Sequence, residues 1–117
     1  MDRDTTLRIL SQHKKEFKHL GVKSLALFGS TARNESTEQS DIDLLVEFEK
    51  SPTFDTYMEA KFYFEDLLNK PVDLVIKDSL KPGIRPYVEA EAIDVAPENE
   101  LAAKSIDRSS RSAVAAA

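Results

Sequence analysis

The sequence predicts an α/β fold, in which a small mixed sheet packs against helices mainly on one face. Three short apolar runs, at 22–28, 41–48 and 72–76, have the length and composition of β-strands. Two longer segments, at 4–20 and 53–68, repeat their apolar residues at helical spacing. Together these elements predict a layer of helix on a layer of sheet.

Each predicted helix has a recognisable start or stop. The first begins near Asp4 and ends before Gly21, a residue type that commonly terminates helices. The second carries an aromatic and aliphatic stripe that we assign to the core rather than to a cofactor. Its main members are Phe54, Tyr57, Met58, Phe64, Leu67 and Leu68. A short helix at 85–92 and a small last strand at 93–95 complete the prediction.

Composition limits the function. The 117 residues suffice for one modest domain, and 41% apolar with 32% charged residues fits a soluble globular protein. We expect no signal peptide, no membrane span and a cytoplasmic location. The absence of cysteine excludes disulfides and thiolate metal sites. The net charge of −5 argues against broad nucleic-acid binding, which uses a basic face, but it permits a nucleotide site.

A glycine and a serine follow the first predicted strand directly. Gly29 would let a phosphate approach the backbone closely, and Ser30 would offer a hydroxyl. A short helix that begins there would point free N–H groups at an anion, and Arg33, one turn later, could reach the same phosphates. Taken alone, the Gly-Ser pair is equally compatible with an ordinary turn.

Two aspartates open the second predicted strand. Because side chains alternate between the faces of a strand, Asp41 and Asp43 point one way and Ile42 the other. Two close carboxylates repel each other unless a cation lies between them. Hard oxygen ligands favour Mg²⁺ or Mn²⁺, and Mg²⁺ leaves positions open for waters and substrate phosphates. Glu47 shares this alternation but lies far along the strand, so we expect it to be solvated or ion-paired.

Asp73 interrupts the third apolar strand, which is unfavourable unless its carboxylate is satisfied. One interpretation is an edge-strand aspartate that caps a turn. The other places Asp73 on a neighbouring strand, on the same face as Asp41 and Asp43. There it would complete a triad of carboxylates.

The pattern Gly29-Ser30, Arg33 and Ser40-Asp41-Ile42-Asp43, followed by apolar residues, resembles the signature of the nucleotidyltransferase superfamily that includes DNA polymerase beta. It is most similar to the minimal nucleotidyltransferase (MNT) branch, over roughly residues 22–95. The resemblance implies a polymerase beta-like palm. The hydrophobic pattern stops after Pro97, so we expect residues 1–97 to form this domain and 98–117 to be a disordered or vector-derived tail.

The resemblance also implies a reaction, the transfer of a nucleoside monophosphate from a nucleoside triphosphate to a hydroxyl, with release of pyrophosphate. Asp41 and Asp43 would hold two Mg²⁺ ions, one at the triphosphate and one that lowers the pKa of the attacking hydroxyl. Asp73 would bind the second ion and help to accept the proton. The residues expected to hold the β- and γ-phosphates are Gly29, Ser30 and Arg33.

Stand-alone MNT proteins resemble antitoxins of two-gene modules whose toxin is a HEPN ribonuclease. In that family the antitoxin transfers AMP from ATP to a tyrosine hydroxyl of the toxin. Independently, a palm without an acceptor domain needs a macromolecule to present the nucleophile, and an acidic protein suits a basic, RNA-binding partner. Two alternatives stay open. One is an antitoxin that acts by binding alone. The other is a small-molecule nucleotidyltransferase similar to those that inactivate aminoglycosides, with a partner or a dimer completing the acceptor site.

Overall fold

The computed structural model describes residues 2–95, which form a four-stranded mixed sheet with two long helices on one face. In chain order the elements are α1 (Arg3–Gln12), β1 (Val22–Phe28), α2 (Gly29–Ala32), β2 (Ile42–Phe48), α3 (Phe54–Leu68), β3 (Val72–Ile76), α4 (Arg85–Glu91) and β4 (Ile93–Asp94). Short 3₁₀ helices follow α1, at Lys14–Phe17, and β3, at Lys77–Ser79.

The sheet has the strand order β3-β2-β1-β4. Strand β1 runs antiparallel to both β2 and β4, whereas β2 and β3 are parallel. A parallel pair requires a crossover connection, and α3 supplies it between β2 and β3. The predicted α/β fold with a mixed sheet is therefore confirmed.

The core lies between the sheet and helices α1 and α3. On β2, the side chains of Ile42, Leu44 and Val46 are completely buried in it. The rings of Phe17 and Phe64 meet edge to face in the same core, with their centroids 5.6 Å apart. The alternation of a strand places these three side chains of β2 on one face, and Leu45, which is also buried, on the other.

The opposite face of the sheet, which we call the open face, carries Asp43, Leu45 and Glu47 of β2. The strand register places Ala26 of β1 and Val75 of β3 beside Leu45 on this face. Helices α1 and α3 do not cover it. Ala26 and Leu45 are nevertheless buried, so on the open face the side chains of β2 that can meet a ligand are the partly exposed Asp43 and Glu47.

The prediction of one continuous first helix over 4–20 is wrong. Helix α1 begins earlier, because the Asp2 carboxylate accepts a hydrogen bond from the Thr5 N–H at 2.8 Å and caps the N-terminus. It also ends earlier. The side chains of Ser11 and His13 both bond to backbone carbonyls of the preceding turn, and such bonds compete with the helix. The chain then continues as a 3₁₀ helix.

The second predicted helix is confirmed as α3, which Thr53 caps and a left-handed Asn69 terminates. Phe64 and Leu68 of its stripe are buried, as predicted. The assignment of Phe54 to the core is wrong, because its side chain is 76% exposed. Phe54 lies in the first turn, where it borders an open groove between the helix and β3.

The strand predictions need one correction. Strands β1 and β3 match their predicted ranges, but β2 begins at Ile42, so Asp41 lies just before it. The short helix and the last strand are present as α4 and β4. The predicted boundary at Pro97 and the tail 98–117 lie outside the described residues. Among residues 2–95, no helix has the length and apolar character needed to cross a membrane.

Candidate active site

At Gly29 the chain turns from strand β1 into the four-residue helix α2. The φ angle of Gly29 is +76°, which residues with a side chain rarely adopt. A Cβ atom here would lie 2.0 Å from Oδ2 of Asp43 and 3.0 Å from its Cβ. Glycine is therefore required both by the backbone turn and by the close approach of Asp43. We call Gly29–Ala32 the Gly29 corner.

Asp43 and Asp73 are direct neighbours across the parallel strands β2 and β3, and we call them the acidic pair. Paired positions on adjacent strands point to the same side of a sheet, so both carboxylates lie on the open face. Asp43 is partly buried, whereas Asp73 is exposed on the edge strand. The register thus brings Asp73 beside Asp43, while its role in chemistry stays a prediction.

The carboxylates around Asp43 act on one another electrostatically. Burial is the largest cause that raises the pKa of Asp43, followed by the negative charges of Asp73 and Asp41. Glu91 adds to this effect, and the positive charge of Arg33 opposes it. Asp41 is exposed immediately before β2. The site therefore holds more negative charge than its own residues balance.

The acidic pair fits a hard divalent cation. Its donors are carboxylate oxygens, which Mg²⁺ prefers, and the repulsion that raises the pKa of Asp43 is what such a cation would relieve. Within residues 2–95, no three His, Asp or Glu side chains are gathered as in a preformed metal cage. Mg²⁺ does not require one, because it usually binds through one or two carboxylates together with waters and substrate phosphates.

Glu91 of α4 accepts hydrogen bonds from Gly29, at the start of the Gly29 corner, and from Arg33, the residue that follows it. Its Oε1 accepts a hydrogen bond from the Gly29 N–H at 2.7 Å, and its Oε2 accepts one from Nη1 of Arg33 at 2.7 Å. The Nε of Arg33 donates to Glu35 at 3.0 Å. The bond from Arg33 lowers the pKa of Glu91, and the bonds to Glu35 and Glu91 raise the pKa of Arg33.

The sequence patterns did not single out Glu91. It lies 62 residues after Gly29, and no local spacing rule relates the two positions. They also did not show that Arg33, expected to face phosphates, is held between two glutamates. Ser30 differs from Gly29 and Arg33, which are both bonded to Glu91. Its hydroxyl is partly exposed and forms no hydrogen bond with the described part of the chain. Ser30 is thus available to a ligand.

Towards the other end of the open face, the acidic side chain of β2 has a hydrogen-bond partner. The carboxylate of Glu47 accepts a hydrogen bond from the Ser24 hydroxyl at 3.0 Å, so Glu47 is satisfied within the sheet. A cavity of about 260 Å³ lies over the middle of the face, with Ala26, Leu45 and Lys77 among its lining residues. Glu47 thus has a hydrogen-bond partner within the sheet, whereas Asp43 lies among other carboxylates.

Comparison with known proteins identifies the family. Residues 10–95 match the family described as Nucleotidyltransferase domain. The chain is 51% identical over 89 residues to a Methanocaldococcus jannaschii protein that bears the name protein adenylyltransferase, covering 74% of this chain and 91% of that protein. It is 46% identical over 88 residues to the protein adenylyltransferase MntA of Thermococcus cleftensis, with coverages of 74% and 89%.

Solved structures share the fold. A minimal nucleotidyltransferase that is 36% identical gives a TM-score of 0.70, covering 80% of this chain and 95% of that one. A tri-AMPylated Shewanella oneidensis HEPN toxin in complex with MNT antitoxin gives 0.57 at 16% identity, with coverages of 94% and 93%. A toxin-antitoxin structure with AMP-PNP gives 0.61 at 19% identity, with coverages of 92% and 86%.

The two toxin-antitoxin structures show likeness of fold alone, whereas the identities of 36% to 51% extend to the sequence. The resemblance inferred from the Gly-Ser and Asp-Ile-Asp motifs is confirmed. This chain belongs to the nucleotidyltransferase domain family, as a minimal nucleotidyltransferase whose homologues are protein adenylyltransferases.

Proposed function

We propose that this protein is an Mg²⁺-dependent adenylyltransferase that transfers AMP from ATP to a tyrosine hydroxyl of a HEPN-type toxin, and thereby acts as its antitoxin. The observation that carries the proposal is the acidic pair, Asp43 and Asp73, set against the Gly29 corner. The adenylyltransferase relatives and the AMPylated toxin complex support the substrate class. The compartment implied is the cytoplasm, where ATP is available.

Asp41 and Asp43 are the residues that would hold two Mg²⁺ ions, and Asp73 would help to hold the second. Bound Mg²⁺ would neutralise triphosphate charge and lower the pKa of the attacking hydroxyl. The crowding of carboxylates supports this assignment. Without a cation, the triphosphate of ATP and the aspartates that raise the pKa of Asp43 would repel each other.

The Gly29 corner would receive the β- and γ-phosphates. Ser30 would donate its hydroxyl, and Gly29 would supply the positive-φ turn at which the corner begins, while Asp43 fills the space that a Cβ would take. The N–H of Gly29 is already bonded to Glu91 and is not the donor in this scheme. Arg33 would steady the same phosphates, because a guanidinium carries five N–H donors and Glu35 and Glu91 engage two of them.

In the transfer step, the acceptor hydroxyl oxygen forms a bond to the α-phosphorus of ATP. The bond between the α-phosphorus and the bridging oxygen breaks, and pyrophosphate leaves with that electron pair. The hydroxyl proton must move to a base as the new bond forms. Asp73 would accept it, because it is exposed on the edge strand directly beside Asp43.

The open face favours a macromolecular acceptor. The cavity of about 260 Å³ on this face is lined by neither Asp43 nor Asp73, so it is not positioned to hold a small acceptor at the acidic pair. A protein can instead present one tyrosine to an open site. The net charge of −5 suits the basic surface of an RNA-binding partner. AMP on that tyrosine would add bulk and negative charge where RNA phosphates approach, and so inactivate the toxin.

The test uses the HEPN-type protein encoded beside the gene. It is incubated with ATP and Mg²⁺ and either the wild type or Asp43→Asn, then weighed intact and assayed for ribonuclease activity. We expect AMP adducts and loss of ribonuclease activity with the wild type. Neither should appear with Asp43→Asn, or with the wild type in EDTA. Peptide mapping should place the AMP on tyrosine.

Three results would contradict the proposal. Neutralisation by both proteins without an adduct in either would support an antitoxin that acts by binding alone. Transfer of AMP to an aminoglycoside, with none to the toxin, would support the small-molecule alternative. An adduct on serine or threonine would overturn the assignment of tyrosine as the acceptor.

A further inference from the structure

We infer that Glu91 is a positioning residue for ATP binding, which holds the Arg33 guanidinium and the Gly29 backbone in the arrangement that receives the triphosphate. This inference rests on the proposed function. It adds a residue from the last helix, α4, to a site that the sequence motifs confine to residues 29–33, 41–43 and 73.

The Glu91 carboxylate holds two groups at once. Each carboxylate oxygen of Glu91 accepts one hydrogen bond at 2.7 Å, one from the Gly29 N–H and one from Arg33. Both distances are at the short end of charge-assisted hydrogen bonds. Gly29 thus lies between two carboxylates, with its N–H bonded to Glu91 and its Cα against Asp43. Movement of Glu91 would therefore change both the corner and the direction of Arg33.

Arg33 needs such support because it is long and its side chain is 46% exposed. A free arginine samples many rotamers, and ordering it on ligand binding is unfavourable. Glu35 holds it from one side at Nε and Glu91 from the other at Nη1. The side chain is therefore ordered before the ligand arrives, which is the condition under which it loses least entropy on binding.

Glu91 is itself anchored. It ends α4, and β4 begins two residues later and pairs with β1 through Ile93 opposite Leu27 and Asp94 opposite Ala26. The Val95 N–H also donates to the Leu25 carbonyl at 2.9 Å. The backbone around Glu91 is thus tied to the central sheet. An anchored carboxylate suits a positioning role better than the role of a plug that leaves when the triphosphate enters.

The competing interpretation makes the opposite prediction. If the Glu91 carboxylate occupied the place of a phosphate, its removal would free the Gly29 N–H and Arg33 and strengthen nucleotide binding. If Glu91 positions these groups, its removal weakens binding. The sign of the change in Kd separates the two.

The experiment is calorimetric titration of Mg²⁺ and AMP-PNP into the full chain, which needs no acceptor protein. We expect Glu91→Ala to raise the Kd about three- to tenfold, the range that corresponds to one newly mobile arginine. Glu91→Gln should give a smaller rise, because its amide oxygen can still accept from Gly29. Glu89→Ala is the matched control, since Glu89 lies on the same helix and pairs with Arg85 instead. Its Kd should match the wild type.

The double variant Arg33→Ala/Glu91→Ala tests whether Glu91 acts through Arg33. Its Kd should lie within about twofold of Arg33→Ala alone, because coupled residues are not additive. A tighter or unchanged Kd for Glu91→Ala, or full additivity in the double variant, would overturn the inference. If Glu91→Ala fails to fold, the isosteric Glu91→Gln carries the test. A wild type that binds no AMP-PNP would instead reject the proposed function, and the inference with it.

Discussion

The two faces of strand β2 show how seven residues serve stability and chemistry separately. Ile42, Leu44 and Val46 are 0% exposed against the helices, whereas Asp43 between them faces the open side beside Asp73. Strand geometry makes this possible, since successive side chains point to opposite faces. A substitution at Leu44 should therefore impair folding and spare chemistry, and one at Asp43 should do the reverse.

The open face itself has two unlike ends. At the Gly29 corner, Asp43 lies among carboxylates that raise its pKa. Further along the same strand, Glu47 is satisfied by the Ser24 hydroxyl. Position on the correct face is thus insufficient for a role in the site. The proposed chemistry needs negative charge that the protein itself leaves unbalanced.

Asp43→Asn is expected to have the largest effect. AMP transfer should fall by about 10³-fold or more, because a ligand of the proposed Mg²⁺ and its charge are lost. The circular dichroism spectrum should be unchanged and the melting temperature equal or slightly higher, since repulsion is removed. Glu47→Gln, on the same strand and face, is the control and should transfer AMP within about twofold of the wild type. Equal losses in both variants would reject the distinction between the two ends.

Leu44→Ala tests the face of β2 that packs in the core, and it should destabilise the fold. Removing a fully buried leucine side chain should lower the free energy of unfolding by about 3 kcal/mol, as measured by urea denaturation. Leu67→Ala deletes the same atoms from a partly exposed position and should have less than half this effect. Where both variants are folded, AMP transfer should follow the folded fraction. A selective loss of transfer by folded Leu44→Ala would contradict the separation of the faces.

Gly29→Ala and Gly21→Ala form a matched pair, which tests whether Gly29 is required for the site as well as for the backbone turn. Both glycines have φ of +76°, so each substitution should lower stability by about 1–2 kcal/mol from backbone strain. A Cβ at Gly21 would be 4.0 Å from its nearest neighbour, whereas one at Gly29 would collide with Asp43. Gly29→Ala should therefore also lower transfer about 10²-fold, while Gly21→Ala should not. Kinetic and urea measurements on both variants provide the check.

The pH dependence of stability should be the smallest effect, and it has opposite signs at Asp43 and Glu91. The raised pKa of Asp43 means that the folded protein binds the proton more tightly, so stability falls as pH rises from about 4 through that pKa. The stability of Asp43→Asn relative to the wild type should therefore increase as the pH rises towards neutral. The pKa of Glu91 is lowered in the folded protein, so ionised Glu91 stabilises the fold at pH values above its ordinary pKa. This stability is lost as the pH falls through the lowered pKa of the folded state.

Glu91→Gln should thus be less stable than the wild type at neutral pH and approach it in acid. Urea denaturation of the three proteins at about pH 4 and pH 7 measures both trends. Because both carboxyls are partly exposed, we expect small differences, and their signs are the test. The same sign for both variants would contradict the charge balance described for this corner.

The order of amino acids determined the strands and the motif. The apolar runs predicted β1 and β3 at their observed bounds, and alternation predicted that Asp43 and Leu44 would face opposite ways. The Gly-Ser corner and the aspartates lie within a few residues of regular elements. Their local geometry is set by φ angles and by the period of a strand, which are properties that sequence encodes directly.

Tertiary structure alone decided which distant residues meet. The register of the parallel pair placed Asp73 beside Asp43, and the pairing of β4 with β1 brought Glu91 to Gly29 across 62 residues of sequence. The same long-range packing left Phe54 exposed. A local pattern leaves such contacts undecided, as it left two interpretations of Asp73. Each contact depends on how strands and helices dock across the sheet, and that docking is set by burial summed over the whole core.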